Sequence, residues 1–424
     1  MKHPHFAGLL AAGLLMTLSS VSASATDISI QQDVNGQALR IVASKDQYAG
    51  AIYSVTYRGT EYIDHYDHGR ELQSASSFDG LGECFNPTEA GSSKDGTGSS
   101  STSILISAYA SGNTLQTTNN MAFWIYPGSN YVNSCGQMWY VSPLSGHIFS
   151  KTVTIGYQGI PNLIRYSASF TPAENHNSAT FEAATGYMPP SFSQFLAYNP
   201  KTRHLSVLSD GPGEQATPVI LATTNGLNAM GVISPGLPQA SYPNLGYGRF
   251  RFPSTTKWNC VYRATNILAG DTYTYNCFIA IGTVDEVMAA ENRLVQSTSQ
   301  PSPLFRFYNG KDHLLTAIYT EGASAGYQFE GTTMHVYPNA IDSGMEPIYR
   351  CREGNHDHFL STRQDCEGQR YEGQYGFISS HSRPGYSALY RLYNSSVGDH
   401  MSTTNPDEGT NHGYRVEGIL GYVN

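Results

Sequence analysis

Apolar and polar residues alternate with a period of two through most of the chain between residues 27 and 295. The clearest segments are ALRIVAS, AIYSVTYRG, TEYIDHY, HIFSKTVTIGY, LIRYSASFT and TYTYNCFIAIG. This alternation places one face of each segment against a core and the other towards solvent, which is typical of half-buried β-strands. So many strands in succession predict an all-β domain built as a large β-sandwich.

One segment has a helical pattern instead. In DEVMAAENRLV (residues 285–295), apolar residues recur at helical spacing, and two acidic residues stand near the N-terminus, where the helix dipole favours them. The following QSTSQPSP is polar and rich in turn-forming residues, and we interpret it as a linker. The predicted boundaries are a sandwich domain at 26–295, a linker at 296–302 and a second domain at 303–424.

The second domain contains three copies of one pattern. They run LFRFYNGKDHLLT…GYQFEGTTMHVY, IYRCREGNHDHFLST…GQRYEGQYGFI and LYRLYNSSVGDHMSTT…GYRVEGILGYV. Each copy has an Arg, an Asp-His pair, a Ser or Thr, and a Glu-Gly pair in the same order. Repeated units of about forty residues bury one shared core. Three copies, each with four short strands, predict a β-trefoil.

The composition and the first residues indicate an exported protein. Residues 1–25 combine Lys2, the apolar run AGLLAAGLLMTL and the small residues SVSASA, which predicts a cleaved signal peptide and a secreted or periplasmic location. That apolar run is too short to span a membrane. A net charge of −9 argues against nucleic acid and against an anionic membrane surface as partners. We expect a monomer without membrane insertion.

Six cysteines in an exported chain favour disulfide bonds over metal sites. Six cysteines allow fifteen connectivities, and the simplest is sequential. It predicts the pairs Cys84–Cys135, Cys260–Cys277 and Cys351–Cys366. Because the sequence contains no C-x-x-C pair, a structural zinc site is not expected.

Charged residues are concentrated between Glu61 and Gly91, although only 13% of the whole chain is charged. Crowded ionisable groups shift one another's pKa values and collect at functional sites, although a structural ion-pair network gives the same pattern. We predict catalytic roles for His68, Arg70 and Glu71, with His65 and Asp67 binding substrate. A histidine beside carboxylates can act as a general acid or base, and an arginine can clamp a substrate.

Two further clusters are candidates. Glycoside hydrolysis commonly uses two carboxylates, and one group of polar residues supplies Glu83 as a catalytic candidate, with Asp79 and Asn86 as substrate ligands. With Glu89, the same group could instead hold Ca²⁺ or only shape a loop, and no other cofactor or metal is expected. The stretch FEAATGYMPPSFSQF adds Glu182 as a catalytic candidate. Aromatic rings stack on sugars, so Tyr187, Trp124 and Trp139 are candidate substrate contacts.

Two parts of the chain resemble known families. The three copies resemble the YR-x-YN…DH…GY-x-x-EG modules that end many secreted bacterial and fungal proteins, which implies a β-trefoil. The second copy departs from that pattern, because it has Gln369 where the others have Tyr327 and Tyr414. The segment GAIYSVTYRGTEYIDHYDHGR (residues 50–70) resembles the start of galactose-mutarotase-like supersandwich domains, which implies a carbohydrate-active protein.

Together these patterns predict a secreted protein that acts on a polysaccharide or another glycan. The first hypothesis is a glycoside hydrolase or polysaccharide lyase with a C-terminal trefoil binding module. The alternative is a non-catalytic lectin or adhesin. Charged residues are seldom buried unless paired. We therefore expect His68, Arg70, Glu71, Glu83 and Glu182 to converge on one concave face of the first domain.

Overall fold

The computed structural model describes residues 27–131, 135–137, 140–201, 204–298, 301–317, 321–322 and 325–424. The predicted signal peptide and Trp139 lie outside these residues. The described chain is all-β apart from a few short helical segments, as its alternating pattern predicts. None of its helices has the length and apolar character needed to cross a membrane.

The first part of the chain, up to Gly282, forms strands in close succession. They are β1 Ile28–Val34, β2 Gln37–Ala43, β3 Ile52–Tyr57, β4 Thr60–Glu61, β5 Leu72–Phe78, β6 Pro87–Thr88, β7 Ile104–Ser111, β8 Thr114–Phe123, β9 Asn130–Tyr131, β10 Gly136–Gln137, β11 Leu144–Ile155, β12 Leu163–Thr171, β13 His176–Met188, β14 Gln194–Asn199, β15 His204–Val207, β16 Gly213–Gln215, β17 Val219–Ala222, β18 Ala229–Ile233, β19 Tyr247–Arg251, β20 Thr256–Ile267 and β21 Tyr273–Gly282.

These strands form two antiparallel layers that pack face to face. The pairing order is β1–β2–β3–β5–β13–β20–β19–β16 in the first layer and β7–β8–β11–β12–β21–β18–β17–β14–β15 in the second. The short strand β6 pairs with β5 and with β8, and so joins the layers. One buried cluster takes side chains from both, including Phe181 of the first layer and Phe149 of the second. The sandwich core therefore lies between the layers.

A disulfide bond and an ion pair connect elements across this core. The disulfide Cys260–Cys277 joins β20 of the first layer to β21 of the second, and both cysteines are fully buried. The buried ammonium of Lys151 on β11 pairs with the buried carboxylate of Glu89 and also donates to the carbonyl of Gly50. Because burial of a charge is costly unless it is paired, these contacts make the position of Glu89 structural.

Helix α1 (Val284–Thr298) follows β21, where the sequence predicts a helix. Its buried residues Val287, Ala290 and Leu294 pack in a second cluster with Ile220 and Phe278 of the second layer. The helix therefore covers the outer face of that layer. The sequence predicts the helix correctly, and the helix continues beyond the expected end at residue 295.

The C-terminal part carries three strands per copy among the described residues. They are β22 Ser302–Tyr308, β23 His313–Thr316 and β24 Gln328–Val336; β25 Met345–Glu353, β26 Asp357–Ser361 and β27 Arg370–Ser379; and β28 Ser387–Asn394, β29 Asp399–Thr403 and β30 Arg415–Val423. The short helix α2 spans Pro406–Thr410. The four short strands expected in each copy are not seen among the described residues, where the long outer strands continue through two register shifts each.

The repeated Asp-His pairs connect the copies to one another. In each contact the histidine donates through its backbone N–H and through Nδ1 to the aspartate of another copy, with Nδ1–oxygen distances of 2.6–2.7 Å. The three contacts are His358 with Asp312, His400 with Asp357, and His313 with Asp399. The third contact joins the last copy to the first. The Asp-His pattern therefore closes a ring of three copies.

The repeated arginines form a second closed ring. Each arginine pairs with the glutamate of its own Glu-Gly pair and with a glutamate from the preceding copy. The contacts between copies are Arg350 with Glu321, Arg391 with Glu367, and Arg306 with Glu408. In each copy the repeated Ser or Thr also donates to the glutamate of that copy which pairs with the arginine of the next copy. The pattern residues therefore hold the copies together.

Two sequence predictions have a clear outcome in this architecture. The disulfides Cys84–Cys135, Cys260–Cys277 and Cys351–Cys366 are confirmed. A hairpin turn forms at Arg58-Gly59, where Tyr57 pairs with Thr60 across it. The expected strand through residues 60–66 is wrong beyond Glu61. The Glu61 carboxylate accepts from the backbone of Tyr62 and Ile63, which ends the strand there.

Candidate functional site

Glu182 and Lys257 form an ion pair on the outer side of the first layer. Their side chains are 26% and 13% exposed, and Lys257 Nζ lies 3.1 Å from Glu182 Oε2. Glu182 stands in β13 between the buried Phe181 and Ala183, so it points away from the core. Burial lowers the pKa of Lys257, but Glu182 and Tyr187 outweigh it and raise that pKa above its ordinary value. Lys257 therefore stays charged.

A shift of register in β13 brings Tyr187 to the same place. Residues five apart in a regular strand point to opposite faces. The register between β13 and β20 shifts between Glu182 and Ala184, which adds one residue and puts Glu182 and Tyr187 on the same face. Tyr187 then lies directly opposite Lys257 across the ladder.

Aromatic rings surround this ion pair. Lys257 Nζ lies 5.0 Å from the ring centroid of Tyr187 and 5.4 Å from that of Phe250, within the range of cation–π attraction. Phe252 is nearly parallel to both rings, with centroids 6.5 Å from Tyr187 and 6.3 Å from Phe250. Phe252 is 42% exposed. The group therefore offers apolar ring surface beside a carboxylate and an ammonium.

The loop after β4 extends this surface. The backbone N–H of Asp64 donates to the carbonyl of Tyr187 at 2.9 Å. Arg70 pairs with Asp67 at 2.8 Å and with Asp64 at 3.3 Å, and it donates to Ser254 at 3.2 Å. The neighbouring Tyr66 ring is 70% exposed. We call the surface formed by Asp64, Tyr66, Asp67, Arg70, Glu182, Tyr187, Phe250, Phe252 and Lys257 the Tyr187 face.

Two predicted catalytic residues lie in the interior instead. His68 is 2% exposed, and its ring nitrogens contact the carbonyls of Gly96 at 2.8 Å and Gln47 at 2.6 Å. Glu71 is fully buried and accepts from the backbone N–H of Gly69. Burial raises the pKa of Glu71 to about 8, despite lowering contributions from backbone hydrogen bonds. The sequence predicts that His68 and Glu71 lie on a concave face, whereas the structure places both in the interior.

A close packing contact turns the chain inward at this point. Gly69 has a φ of +97°, and a Cβ there would lie 2.7 Å from the ring of Trp124. Only glycine accepts both the backbone angle and the contact. Trp124, a predicted substrate contact, therefore packs on the loop that carries His68, and its exposure is intermediate.

The remaining predicted residues are dispersed. Glu83 is exposed on the 3-10 turn Gly82–Phe85, which follows the end of β5 farthest from Tyr187. Asp79, beside it, accepts from Asn177 and His176. Asn86 donates to the carbonyl of Ser76. His65 is exposed, with its ring edge against Tyr53. Of the five residues expected to converge, only Arg70 and Glu182 belong to the Tyr187 face.

Five residues of this face are absent from the residues predicted from the sequence: Asp64, Tyr66, Phe250, Phe252 and Lys257. The alternation of basic and aromatic residues in RFRF (residues 249–252), just before Pro253, carries a signal for an aromatic face on a strand end. No local pattern links Lys257 to Glu182, because they meet only through the pairing of β13 with β20.

Comparisons with known proteins give one family match. The model of a family described as a domain of unknown function (DUF5648) matches residues 261–369 and, again, residues 361–424. No curated protein sequence matches the chain.

Several solved structures are similar at very low identity. A galactose mutarotase related enzyme from Lactobacillus acidophilus is 10% identical over 62% of this chain and 99% of its own, with a TM-score of 0.34. A GH36 alpha-galactosidase from Geobacillus stearothermophilus is 7% identical over 61% of this chain and 40% of its own, with a TM-score of 0.34. A heparan sulfate lyase from Pedobacter heparinus is 7% identical over 61% and 35%, with a TM-score of 0.33.

Proposed function

We propose that this is a secreted carbohydrate-active protein that binds its glycan on the Tyr187 face. The observation that carries the proposal is the Glu182–Lys257 ion pair set among the rings of Tyr187, Phe250 and Phe252. A sugar ring presents C–H groups that pack on aromatic faces and hydroxyl groups that need charged or polar partners. The exposed Tyr66 and Phe252 supply the first kind of contact, and Glu182, Lys257 and Arg70 supply the second.

Of the two enzyme classes expected from the sequence, the face fits a polysaccharide lyase better than a glycoside hydrolase. Hydrolysis commonly uses two carboxylates that face each other, one of them protonated. Here Glu182 pairs with Lys257 and Asp64 pairs with Arg70, so each carboxylate has a cation as its partner instead of a second carboxylate.

Elimination from a uronic acid needs a base and cations that stabilise the substrate carboxylate. In the proposed step, the proton on the carbon next to the carboxylate passes to the oxygen of ionised Tyr187. A carbon–carbon double bond forms as the bond to the leaving sugar oxygen breaks, and that oxygen takes a proton from solvent. The ammonium of Lys257 lies beside the Tyr187 ring, and Arg70 provides a second cation.

A panel of neutral and uronic-acid glycans tests this proposal. We expect a new ultraviolet absorbance from the unsaturated sugar, with the wild-type protein and a uronic-acid glycan. Tyr187→Phe should lower the rate by about 100-fold or more, since it removes the acid–base group. Tyr109→Phe is the matched control, because Tyr109 is an exposed tyrosine on β7. New reducing ends without unsaturation would instead indicate a hydrolase.

A lectin or adhesin is the second candidate, and the pairing of the charges supports it. Arg70, Lys257 and their carboxylates are already satisfied by one another, as in a preformed binding surface. In this case Tyr66→Ala and Phe252→Ala weaken glycan binding with an unchanged melting temperature, and no glycan yields product. Product formation by the wild-type protein would exclude this alternative.

The domain organisation is part of the proposal. We assign residues 1–25 to a signal peptide, 26–295 to a mutarotase-like supersandwich, 296–302 to a linker and 303–424 to a β-trefoil. The two closed rings of contacts among the three copies support the trefoil. Limited proteolysis should cut first between the two domains and leave the three copies as one resistant fragment. Cuts scattered through the copies would contradict this assignment.

A further inference from the structure

Two histidines with buried side chains face each other at the end of the sandwich away from Tyr187. His147 lies near the start of β11 and is 2% exposed, and His176 is the first residue of β13, with a side chain 6% exposed. Their ring centroids are 5.8 Å apart. Neither Nε2 atom has a hydrogen-bond partner within the described part of the chain. Buried polar atoms are nearly always satisfied, so two such nitrogens side by side need an explanation.

The surroundings of the two imidazoles are aromatic. Phe78 contacts both rings, with centroids 4.8 Å from His147 and 4.2 Å from His176. Phe85 lies 5.2 Å from His176 and 5.9 Å from His147. These side chains exclude water from one side of the pair.

Asp79 fixes the orientation of His176. The Nδ1 of His176 donates to Asp79 at 2.9 Å, and Asp79 also accepts from the backbone of Asn177 at 2.7 Å. Because Nδ1 carries the proton in this contact, a neutral His176 presents a free lone pair at Nε2. A metal-binding histidine usually donates its other ring N–H to a carboxylate, a carbonyl or water, as His176 does here.

Glu174 completes a set of three possible ligands. Its side chain is 57% exposed, and its Oε1 lies 3.8 Å from His176 Nε2. One nitrogen of each histidine and one oxygen of Glu174 lie within 4.8 Å of one another. Atoms bound to one tetrahedral Zn²⁺ are about 3.3 Å apart, given bond lengths near 2.0–2.1 Å. Small side-chain rotations would therefore bring the three ligand atoms to this spacing. Because Glu174 is exposed, the site is open to solvent.

We propose that His147, His176 and Glu174 bind a divalent transition metal, Zn²⁺, with Asp79 orienting His176. Two imidazoles and one carboxylate suit Zn²⁺, and they leave a fourth position for water or another ligand. The metal would fasten β11 to the loop before β13. The site is separate from the Tyr187 face, because β13 carries His176 at one end and Tyr187 at the other. No transition metal is expected here from the sequence alone.

Calorimetric titration of the metal-free protein with Zn²⁺ tests the proposal, together with the visible spectrum after addition of Co²⁺. We expect one tightly bound ion, a higher melting temperature, and the spectrum of tetrahedral Co²⁺. Glu174→Gln should weaken binding at least about tenfold without disturbing the fold, because the side chain is at the surface. His147→Phe should abolish binding and keep the aromatic packing.

His356→Gln serves as the control, because His356 is exposed and distant in sequence. It should bind Zn²⁺ like the wild-type protein. If the wild-type protein takes up no Zn²⁺, the proposal is wrong. It is equally wrong if Glu174→Gln and His147→Phe both bind with unchanged affinity, since the ion then occupies another group of side chains.

Discussion

A carboxyl group that is fully buried, such as that of Glu71, is more stable protonated than ionised. Its Oε2 accepts from Gly69, whereas its Oε1 has no hydrogen-bond partner among the described residues. Burial raises its pKa from 4.5 to about 8. Glu71 is therefore a source of pH-dependent stability, and its position does not suit a catalytic group open to substrate.

The stability of the sandwich should fall as the pH rises from about 4.5 to about 8. In this range the unfolded chain releases the Glu71 proton and the folded chain keeps it, so the unfolded state binds fewer protons and the free energy of unfolding decreases with pH. The full shift corresponds to at most roughly 5 kcal/mol. Glu71→Gln removes this contribution, and chemical unfolding at several pH values measures it.

The comparison variant for this experiment is Asp46→Asn, because Asp46 is exposed on a loop. It should keep the pH dependence of the wild-type protein. A Glu71→Gln variant with the same slope between pH 4.5 and 8 would show that Glu71 is ionised in the folded protein.

The sequence predicts that charges crowd between residues 61 and 71, but it does not predict which of them are buried. Asp64, Asp67 and Arg70 reach the Tyr187 face, whereas His68 and Glu71 turn inward. The division depends on Gly69 packing against Trp124, which is more than fifty residues away in the sequence. A contact of this kind leaves no local pattern.

At the scale of elements, the sandwich depends on links between its layers as well as on pairing within them. The disulfide Cys260–Cys277 joins two consecutive strands that belong to opposite layers. In the unfolded chain, the bond therefore limits how far the segments that form β20 and β21 can separate.

Replacing both cysteines with alanine should lower the free energy of unfolding by about 2–4 kcal/mol, because the bond closes the loop between residues 260 and 277. Urea unfolding of Cys260→Ala/Cys277→Ala measures the loss. The pair Cys351–Cys366 closes a loop of similar length in the second copy. Its removal should leave unfolding of the sandwich unchanged, and an equal effect on the sandwich would contradict the proposed division into domains.

Most elements follow from local patterns. Alternation predicts the strands, helical spacing predicts α1, and order along the chain predicts all three disulfides. The register shift in β13 cannot be predicted in this way, because it depends on the partner strand β20. Since that shift brings Glu182 and Tyr187 together, the candidate site is less predictable than the fold around it.

At the scale of the whole molecule, contacts join the last of the three C-terminal copies back to the first. Glu408 of the third copy pairs with Arg306 of the first, and that arginine is only 8% exposed. Glu408→Gln should destabilise this part of the protein by about 1–3 kcal/mol, since a hydrogen bond to a mostly buried charge is lost. Thermal unfolding measures the effect.

A double-mutant cycle with Arg306→Met separates the contact from other effects of each change. Asp365→Asn is the control, since its pair with Arg363 is exposed on both sides, and it should leave the melting temperature unchanged. Additive effects of the Glu408 and Arg306 substitutions would show that this contact does not join the first copy to the third.

The closed rings also set the order of events during biosynthesis. His313 and Arg306 are made early, yet their partners Asp399 and Glu408 leave the ribosome some ninety to a hundred residues later. Until then His313 and Arg306 of the first copy lack their contacts with the third copy. The nascent C-terminal region therefore cannot complete either ring until the third copy has left the ribosome.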